Sequence, residues 1–490
     1  MNTYCNLSTR GYTILKEKLK ANELQGIKRD LTVQAFVNKD FSAPPPPFPV
    51  YGESQRKLYI PRFYGIEKYG QPYISKLNEP KEISCKFTKE LRPIQLPIVE
   101  AFLSEVQKHP YGGGGLISVP CGYGKTVLAL YLACILKVKT LVVVHKEFLL
   151  NQWKERIEQF VENVNIGKIQ GQVCKVKDKD IVLGMLQSLS MKDYDSSVFD
   201  DFGFVIYDEC HHLGAEVFSK ALLKTNFKYL LGLSATPKRL DGLSKVFEWY
   251  LGPMIYCIKK RVEETVNVKV IKYKNEDEAY CKERLNQMGK PMMPSMINNI
   301  TAFNPRTLLI IDEIHRCLEE GRKILVLSDR RDHLKEIKTH VDEIDTTKYK
   351  CGFYLGGMKK EALEVTEEAD VILGTFSMAS EGFDCKYPLN TIILSSPKSN
   401  IEQAVGRILR EEAKYRKFVP LIIDIWDNFS LFARQGKKRI DFYKKNKYTI
   451  DYYDENNTFT ETYTPECSEN KNKNKKKTVH SISSFIDEDE

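Results

Sequence analysis

The sequence predicts an α/β fold of two tandem units, each a parallel sheet with helices on both faces, behind a small N-terminal domain and ahead of a disordered C-terminal tail. Three observations carry this. Short continuous apolar runs alternate with helical stretches from about residue 85, as strands buried on both faces require. The alternation restarts at about residue 305. The 490 residues, 42% hydrophobic and 28% charged, supply enough apolar material for several cores.

The elements follow in order. Residues 1–80 form an accessory region, with a Lys-rich helical stretch at Ile14–Leu24, the run Pro44-Pro45-Pro46-Pro47-Phe48-Pro49, and the aromatic, basic text KLYIPRFYGIEKYG. Each proline ring fixes φ and removes a donor, so the proline run is extended, and a stiff linker is its commoner use. In the first unit, residues 85–260, Leu116–Val119, Thr140–Val144, Ile181–Gly184 and Phe204–Tyr207 read as strands. Residues 261–303 contain the polar, Pro-containing KNEDEAYCKERLNQMGKPMMPSM and read as a linker or insertion. The second unit, 304–430, has strands at Ile324–Leu327, Val371–Leu373, Thr391–Leu394 and Leu421–Asp424. A C-terminal extension fills 431–465, and 466–490, a lysine block with an acidic end, reads as disordered.

Composition removes several function classes. The longest apolar run, Val127–Leu136, is far below the roughly 20 residues of a membrane span. The N-terminus has no signal-peptide core, and none of the 12 cysteines stand in a Cys-x-x-Cys spacing. These features point to a reducing, intracellular setting without a membrane partner. Lys plus Arg is 74 against 65 for Asp plus Glu, and the net charge of +9 permits a polyanionic partner without demanding one.

Two patterns carry chemistry. PCGYGKT, Pro120–Thr126, follows a strand and opens a helix. Gly122 and Gly124 would let backbone N–H groups turn toward phosphates, Lys125 would meet the β- and γ-phosphates, and the Thr126 hydroxyl would hold Mg²⁺. Cys121 and Tyr123 complete the loop, and Val119 stands where the strict pattern has Gly. The strand Phe204–Tyr207 then delivers Asp208-Glu209-Cys210-His211. Asp208 can hold the metal through water, and Glu209 can orient or deprotonate the attacking water.

With these residues in view, the chain resembles the superfamily 2 helicases and translocases. PCGYGKT, DECH, SAT (Ser234, Ala235, Thr236) and QAVGRILR (Gln403–Arg410) look like motifs I, II, III and VI. LRPIQ, HKEFLLNQW, Gln187-Ser188-Leu189, LSDRRDHL and GTFSMASEGFD are similar to the adenine-reading segment, motif Ia, the contact after it, and motifs IV and V. The resemblance spans about residues 85–430 and implies two RecA-like P-loop lobes that use ATP and Mg²⁺. It implies that Gln95 reads adenine, with Phe87 a candidate stacker, and that Gly382 and Asp384 border the nucleotide. Ser234, Ala235 and Thr236 would couple hydrolysis to the polymer. Gln403, Arg407 and Arg410, on one face of a helix at i, i+4 and i+7, would meet the γ-phosphate. The implied backbone contacts to nucleic acid are Lys146, Gln187, Arg330, Arg331, Gly356, Gly357, Thr375 and Ser377. Tyr123 and Trp153 read as structural rather than base-stacking.

SATPKRLDG is similar to the branch of the xeroderma pigmentosum group B-type helicase, with Leu240 where that branch often has Glu. GYTILKEKL and PVYGESQRKLYIPRFYG look like the transcript-release DNA helicases of poxviruses and other large DNA viruses. The implied function is a DNA-dependent ATPase in transcription elongation, release or termination, with RNA polymerase or transcription factors as partners, in the cytoplasm, a viral factory or the virion. An RNA helicase is the alternative within the class. An inactive nucleic-acid-binding scaffold is the alternative outside it, and the presence of Lys125, Asp208, Glu209, Arg407 and Arg410 weighs against it.

Overall fold

Two bodies divide the chain, Met1–Lys259 and Lys260–Glu490. The computed structural model describes residues 4–36, 45–120, 123–210, 216–234, 242–258, 264–345, 347–381, 383, 385, 387–411 and 413–465. The tail expected to be disordered lies outside them.

Beside two two-stranded ribbons, the first body contains two larger sheets. The smaller has five strands in the order Gly52–Glu53, Lys57–Ile60, Gly11–Leu15, Cys5–Ser8, Ile74–Ser75, antiparallel except for the last pair. It is less separate than composition suggests. Its buried Tyr12, Ile14, Leu58 and Ile60 belong to one apolar cluster with Leu116, Leu141 and Val205 of the larger sheet. Arg62, 2% exposed, is anchored on carbonyls of the larger sheet's loops. Its Nη1 donates to Phe227 and Lys228 at 3.0 and 3.3 Å, and its Nη2 to Tyr111 and Gly112 at 2.9 and 2.8 Å. A hydrophobic face shared across so much sequence leaves no local signal.

The larger sheet runs Val173–Lys175, Ile166–Gln170, Ile181–Met185, Thr140–Val144, Phe204–Tyr207, Tyr229–Ser234, Gly114–Ser118, Met254–Cys257. All neighbours are parallel except the first pair. The strands read as apolar runs are buried throughout. The glycines before the phosphate loop have a packing reason. A Cβ on Gly114 would stand 2.5 Å from the Leu251 carbonyl and 2.6 Å from that of Leu230. Helices Lys125–Leu136 and Glu147–Phe160 pack around the sheet through Leu128, Leu132, Leu150 and Trp153.

The second body holds a sheet in the order Cys351–Tyr354, Val371–Gly374, Ile324–Leu327, Thr391–Leu394, Leu421–Asp427, Asn267–Tyr273, Thr449–Tyr453, Phe459–Tyr463. Only the last pair is antiparallel. The expected linker is part of this body. Asn267–Tyr273 is an interior strand between Leu421–Asp427 and Thr449–Tyr453, and helix Met293–Thr301 buries Met296, Ile297 and Ile300. The reason is that polar composition hid a buried minority. Lys269 in the strand pairs with the buried Glu313, and the Lys272 ammonium lies 4.5 Å from the Tyr452 ring centroid. The extension supplies helix Ser430–Lys445 and the last two strands.

Two buried ion pairs hang from one strand. Asp427 takes Arg306 at 2.7 and 2.9 Å and the Tyr280 hydroxyl at 2.8 Å. Asp424 takes Arg439 at 2.7 to 3.0 Å and the Tyr443 hydroxyl at 2.8 Å. Each arginine also donates to the loop after Thr391–Leu394, at the carbonyls of Ser395 and Lys398.

Candidate functional site

At the carboxyl edge of the first body's large sheet, Gly114–Ser118 leads through the buried Val119 to the loop, and helix Lys125–Leu136 leaves it. Gly124 caps that helix at φ +76°. A Cβ there would lie 2.6 Å from Gln95 Nε2, so glycine is needed for both conformation and close approach. Gln95, 2% exposed, holds the loop from behind: Nε2 donates to the Tyr123 carbonyl at 2.9 Å, and Oε1 accepts the Arg92 N–H at 2.9 Å. Cys121 and Gly122 lie outside the described residues. Thr126 stands in the first turn of the helix, half-buried.

Two strands away, Phe204–Tyr207 ends at Asp208 and Glu209. The Asp208 N–H donates to the Val143 carbonyl at 3.0 Å. The Lys125 ammonium lies 3.3 Å from Glu209 Oε1. Asp208 Oδ2 accepts the Trp153 indole N–H at 2.8 Å, and Oδ1 accepts the Glu209 N–H at 3.0 Å. Burial, then the neighbouring Glu209 charge, hold the Asp208 carboxyl above the usual carboxylate range against Lys125 and the indole N–H. Glu209 sits at φ +49°, in the left-handed region that non-glycine residues rarely adopt. Cys210 behind the pair is buried, and its thiol is pushed up by burial and by both carboxylates.

Trp153 is core, as its helix predicts, but it also locks the motif II carboxylate. The available signal was its N–H, which a buried indole must donate to something. Phe87, the adenine-stacking candidate, is packed elsewhere: it stacks on Phe160 at 6.0 Å and meets Tyr131 edge-on at 5.4 Å.

The neighbouring motifs share this edge. Ser234 ends its strand beside Ser118, so the segment expected to couple hydrolysis to the polymer begins one strand from the expected phosphate loop. Ala235 and Thr236 lie outside the described residues. Lys146 caps helix Glu147–Phe160, and Gln187 Nε2 donates to the His145 carbonyl at 2.9 Å.

The second body gathers the remaining positions. Arg330 donates to the Asp329 and Pro294 carbonyls at 3.1 and 2.9 Å and to the Asn298 side chain. Arg331 donates to the Gly356 carbonyl at 2.8 Å. Gly356, Gly357 and Ser377 are exposed, and Thr375 is half-buried. The motif VI segment is not one α-helix. Glu402–Val405 is helical, and Gly406–Leu409 tightens to a 3-10 turn. In that geometry positions three apart eclipse, so Arg407 and Arg410 share a face more closely than Gln403 does. Arg407 Nε donates to the Ala379 carbonyl at 2.6 Å and Arg410 Nη2 to the Phe383 carbonyl at 2.7 Å, beside a pocket of about 280 Å³. Gly382 and Asp384 lie outside the described residues.

Comparison with known proteins places the chain among related families. Residues 88–239 match the family described as "Type III restriction enzyme, res subunit". Over 461 residues the chain is 35% identical to "Putative ATP-dependent RNA helicase L396" of Acanthamoeba polyphaga mimivirus, covering 92% of this chain and 87% of the relative. A stretch of 194 residues is 34% identical to "DNA 3'-5' translocase XPB2" of Sulfurisphaera tokodaii, 38% of this chain and 39% of that one. Among solved structures, a fragment titled as a "putative HsdR subunit of a type I restriction enzyme" from Vibrio vulnificus YJ016 aligns with TM-score 0.53 and 17% identity, over 77% of this chain and 71% of the other. That likeness speaks for the fold alone. No described helix is long and apolar enough to cross a membrane. With a phosphate loop, an acidic pair and a relative matched along nearly its whole length, the chain belongs to the superfamily 2 helicases, of the kind encoded by large DNA viruses, and is an ATPase coupled to helicase activity on nucleic acid.

Proposed function

We propose that this helicase is a DNA-dependent ATPase that opens or tracks duplex DNA during transcription elongation, transcript release or termination. The observation that carries the ATPase site is the Lys125 ammonium 3.3 Å from Glu209, beside an Asp208 fixed by Trp153. Lys125 binds the β- and γ-phosphates, and Glu209 orients the attacking water and accepts its proton. Thr126 and Asp208 offer hard oxygen donors of the kind Mg²⁺ takes, and two adjacent carboxylates facing one ammonium favour an added cation. Bound there, Mg²⁺ would neutralise charge on the phosphates. Gln403 meets the γ-phosphate by hydrogen bonding, and Arg407 and Arg410 take the arginine-finger role, which holds charge on the transferring phosphoryl group. Lys146, Gln187, Arg330, Arg331, Gly356, Gly357, Thr375 and Ser377 contact the polymer backbone, and Ser234, Ala235 and Thr236 couple the two sites.

The choice of DNA rests on SATPKRLDG and on the similarity to a protein named as a DNA translocase. The choice of transcription rests on the N-terminal text shared in character with viral transcript-release helicases, and RNA polymerase or a transcription factor is the partner that reading requires. The same reading puts the protein inside the infected cell. The name of the mimivirus relative favours RNA as the second reading.

The test is ATP hydrolysis with no polymer, single-stranded RNA, single-stranded DNA and duplex DNA, with Glu209→Gln as control. Stimulation chiefly by DNA supports the proposal. Stimulation chiefly by RNA replaces it with the second reading. Log affinity for duplex should fall with log salt at a slope near −0.9 per neutralised phosphate, and a flat response would contradict a backbone-binding groove.

A further inference from the structure

Residues 282–293, read from sequence as linker, form a small ordered hairpin that carries an apolar tip on a basic frame. Its order is visible in its hydrogen bonds. Met292 N–H donates to the Arg284 carbonyl at 2.6 Å, Leu285 bridges Pro291, and Asn286 N–H donates to the Lys290 carbonyl at 2.8 Å. The Asn286 side chain accepts the N–H groups of Met288 and Lys290 at 2.9 and 3.0 Å, and Gly289 turns the chain at φ +70°.

The hairpin displays what a soluble surface ordinarily avoids. Leu285 is 52% exposed, Met288 80%, Met292 44% and Met293 40%. Isolated exposed apolar side chains are ordinary, but four within nine residues on a hydrogen-bonded hairpin are not. Arg284 and Lys290 flank them against one acid, Glu283, whose carboxylate accepts the Ser430 hydroxyl, while Lys282 at the base is paired with Glu278 at 2.8 Å. An apolar tip with a cationic frame suits a polyanion whose interior is apolar.

The root of the hairpin fixes where the tip stands. Tyr280 before it is fully buried against Phe303 and Phe429. Helix Met293–Thr301 after it accepts Arg330, through the Pro294 carbonyl at 2.9 Å and the Asn298 side chain. The tip is therefore anchored to the helix that holds a proposed backbone-binding arginine.

We propose that this hairpin is a strand-separating wedge, with Leu285 and Met288 entering between bases at a duplex junction while Arg284 and Lys290 engage the flanking phosphates. Short apolar side chains wedged into a base step unstack it, and the unbranched, polarizable Met thioether fits a base face. The inference rests on the nucleic-acid reading above. It adds a division of labour: hydrolysis and polymer binding belong to the motifs, and opening belongs to the hairpin.

The experiment uses the full chain and the polymer that stimulates its ATPase. Leu285→Ser/Met288→Ser is compared with wild type on a forked duplex carrying 2-aminopurine at the junction. Both side chains are exposed, so the melting temperature should hold, and Met288→Leu, which keeps the apolar tip, should behave as wild type. The expected result is polymer-stimulated ATPase within about twofold of wild type, loss of the 2-aminopurine fluorescence rise, and strand displacement reduced about tenfold or more. Equal displacement and fluorescence in variant and wild type overturn the wedge, including the case in which the hairpin docks another protein. A parallel fall of ATPase and displacement also overturns it, because the hairpin would then be a general binding element. A wild-type chain that no polymer stimulates overturns the parent reading, and the wedge with it.

Discussion

The two bodies carry similar sheets but treat buried charge in opposite ways. In the second, Asp427 and Asp424 are each gripped by an arginine and a tyrosine hydroxyl. Glu313 belongs to the same class: burial alone would raise its carboxyl, but Lys269, Arg316 and Asn457 hold it below the usual range. In the first, Asp208 and Glu209 are chain neighbours facing one lysine, Asp208 is held above its usual range, and Glu209 sits in left-handed backbone. The second body's charges are matched within the fold, whereas the first body's two adjacent acids share one lysine. The difference marks Asp208 and Glu209 as the candidates for chemistry, which residue type alone does not do.

The largest expected effect tests the matched side. Asp427→Ala should leave Arg306 buried without its carboxylate and cost about 3–5 kcal/mol in denaturant unfolding of the second body. A cost below about 1 kcal/mol would mean that water or a neighbour replaces the acid, and the contrast would weaken. Lys125→Ala tests the other side. It should cut ATP turnover about 10²–10³-fold, the scale of losing one charge-stabilising donor, and lower the melting temperature modestly, because the ammonium offsets the buried acid pair. Turnover equal to wild type would remove Lys125 from the phosphate site.

The same contrast explains what was legible in the sequence. Lys125, Asp208 and Glu209 stood out because Lys125 opens the helix that follows a strand and its loop, and the two acids follow the end of another strand, junctions that demand particular residue types. Arg306, Arg439, Asp424 and Asp427 were not singled out: their pairing spans up to 121 positions, and nothing local distinguishes them from functional charges. The strand Asn267–Tyr273 was absorbed into a linker because its lysines interrupt the apolar run, although Glu313 and the Tyr452 ring satisfy them. Gln95 was singled out as the adenine reader, but its grip on the Tyr123 carbonyl was not legible. Motif VI was legible as text, but the tightening at Gly406–Leu409 that sets its arginines was not.

A smaller effect sharpens the comparison at Trp153. Trp153→Phe keeps most of the buried ring and removes the N–H that fixes Asp208. If that bond orients a metal-holding carboxylate, turnover should fall about 10–100-fold and half-saturation should move to higher Mg²⁺. A loss of stability with unchanged Mg²⁺ dependence would make Trp153 a packing residue only.

The smallest effect has the opposite sign. Asp208 is buried next to Glu209, so without nucleotide the pair is a local electrostatic cost that Lys125 offsets in part. Asp208→Asn removes one of the two like charges and keeps one oxygen that can accept the Trp153 N–H, at the loss of the Glu209 N–H bond. The variant should be inactive yet more stable than wild type by about 0.5–2 kcal/mol, the usual gain when a functional site is relieved of its strain. In the second body the equivalent change, Asp424→Asn, removes half of a matched pair and should destabilise. Measured together by urea unfolding, the two substitutions should move in opposite directions. If both destabilise, the acidic edge of the first body is as closed as that of the second, and its charge is not arranged for an incoming ligand.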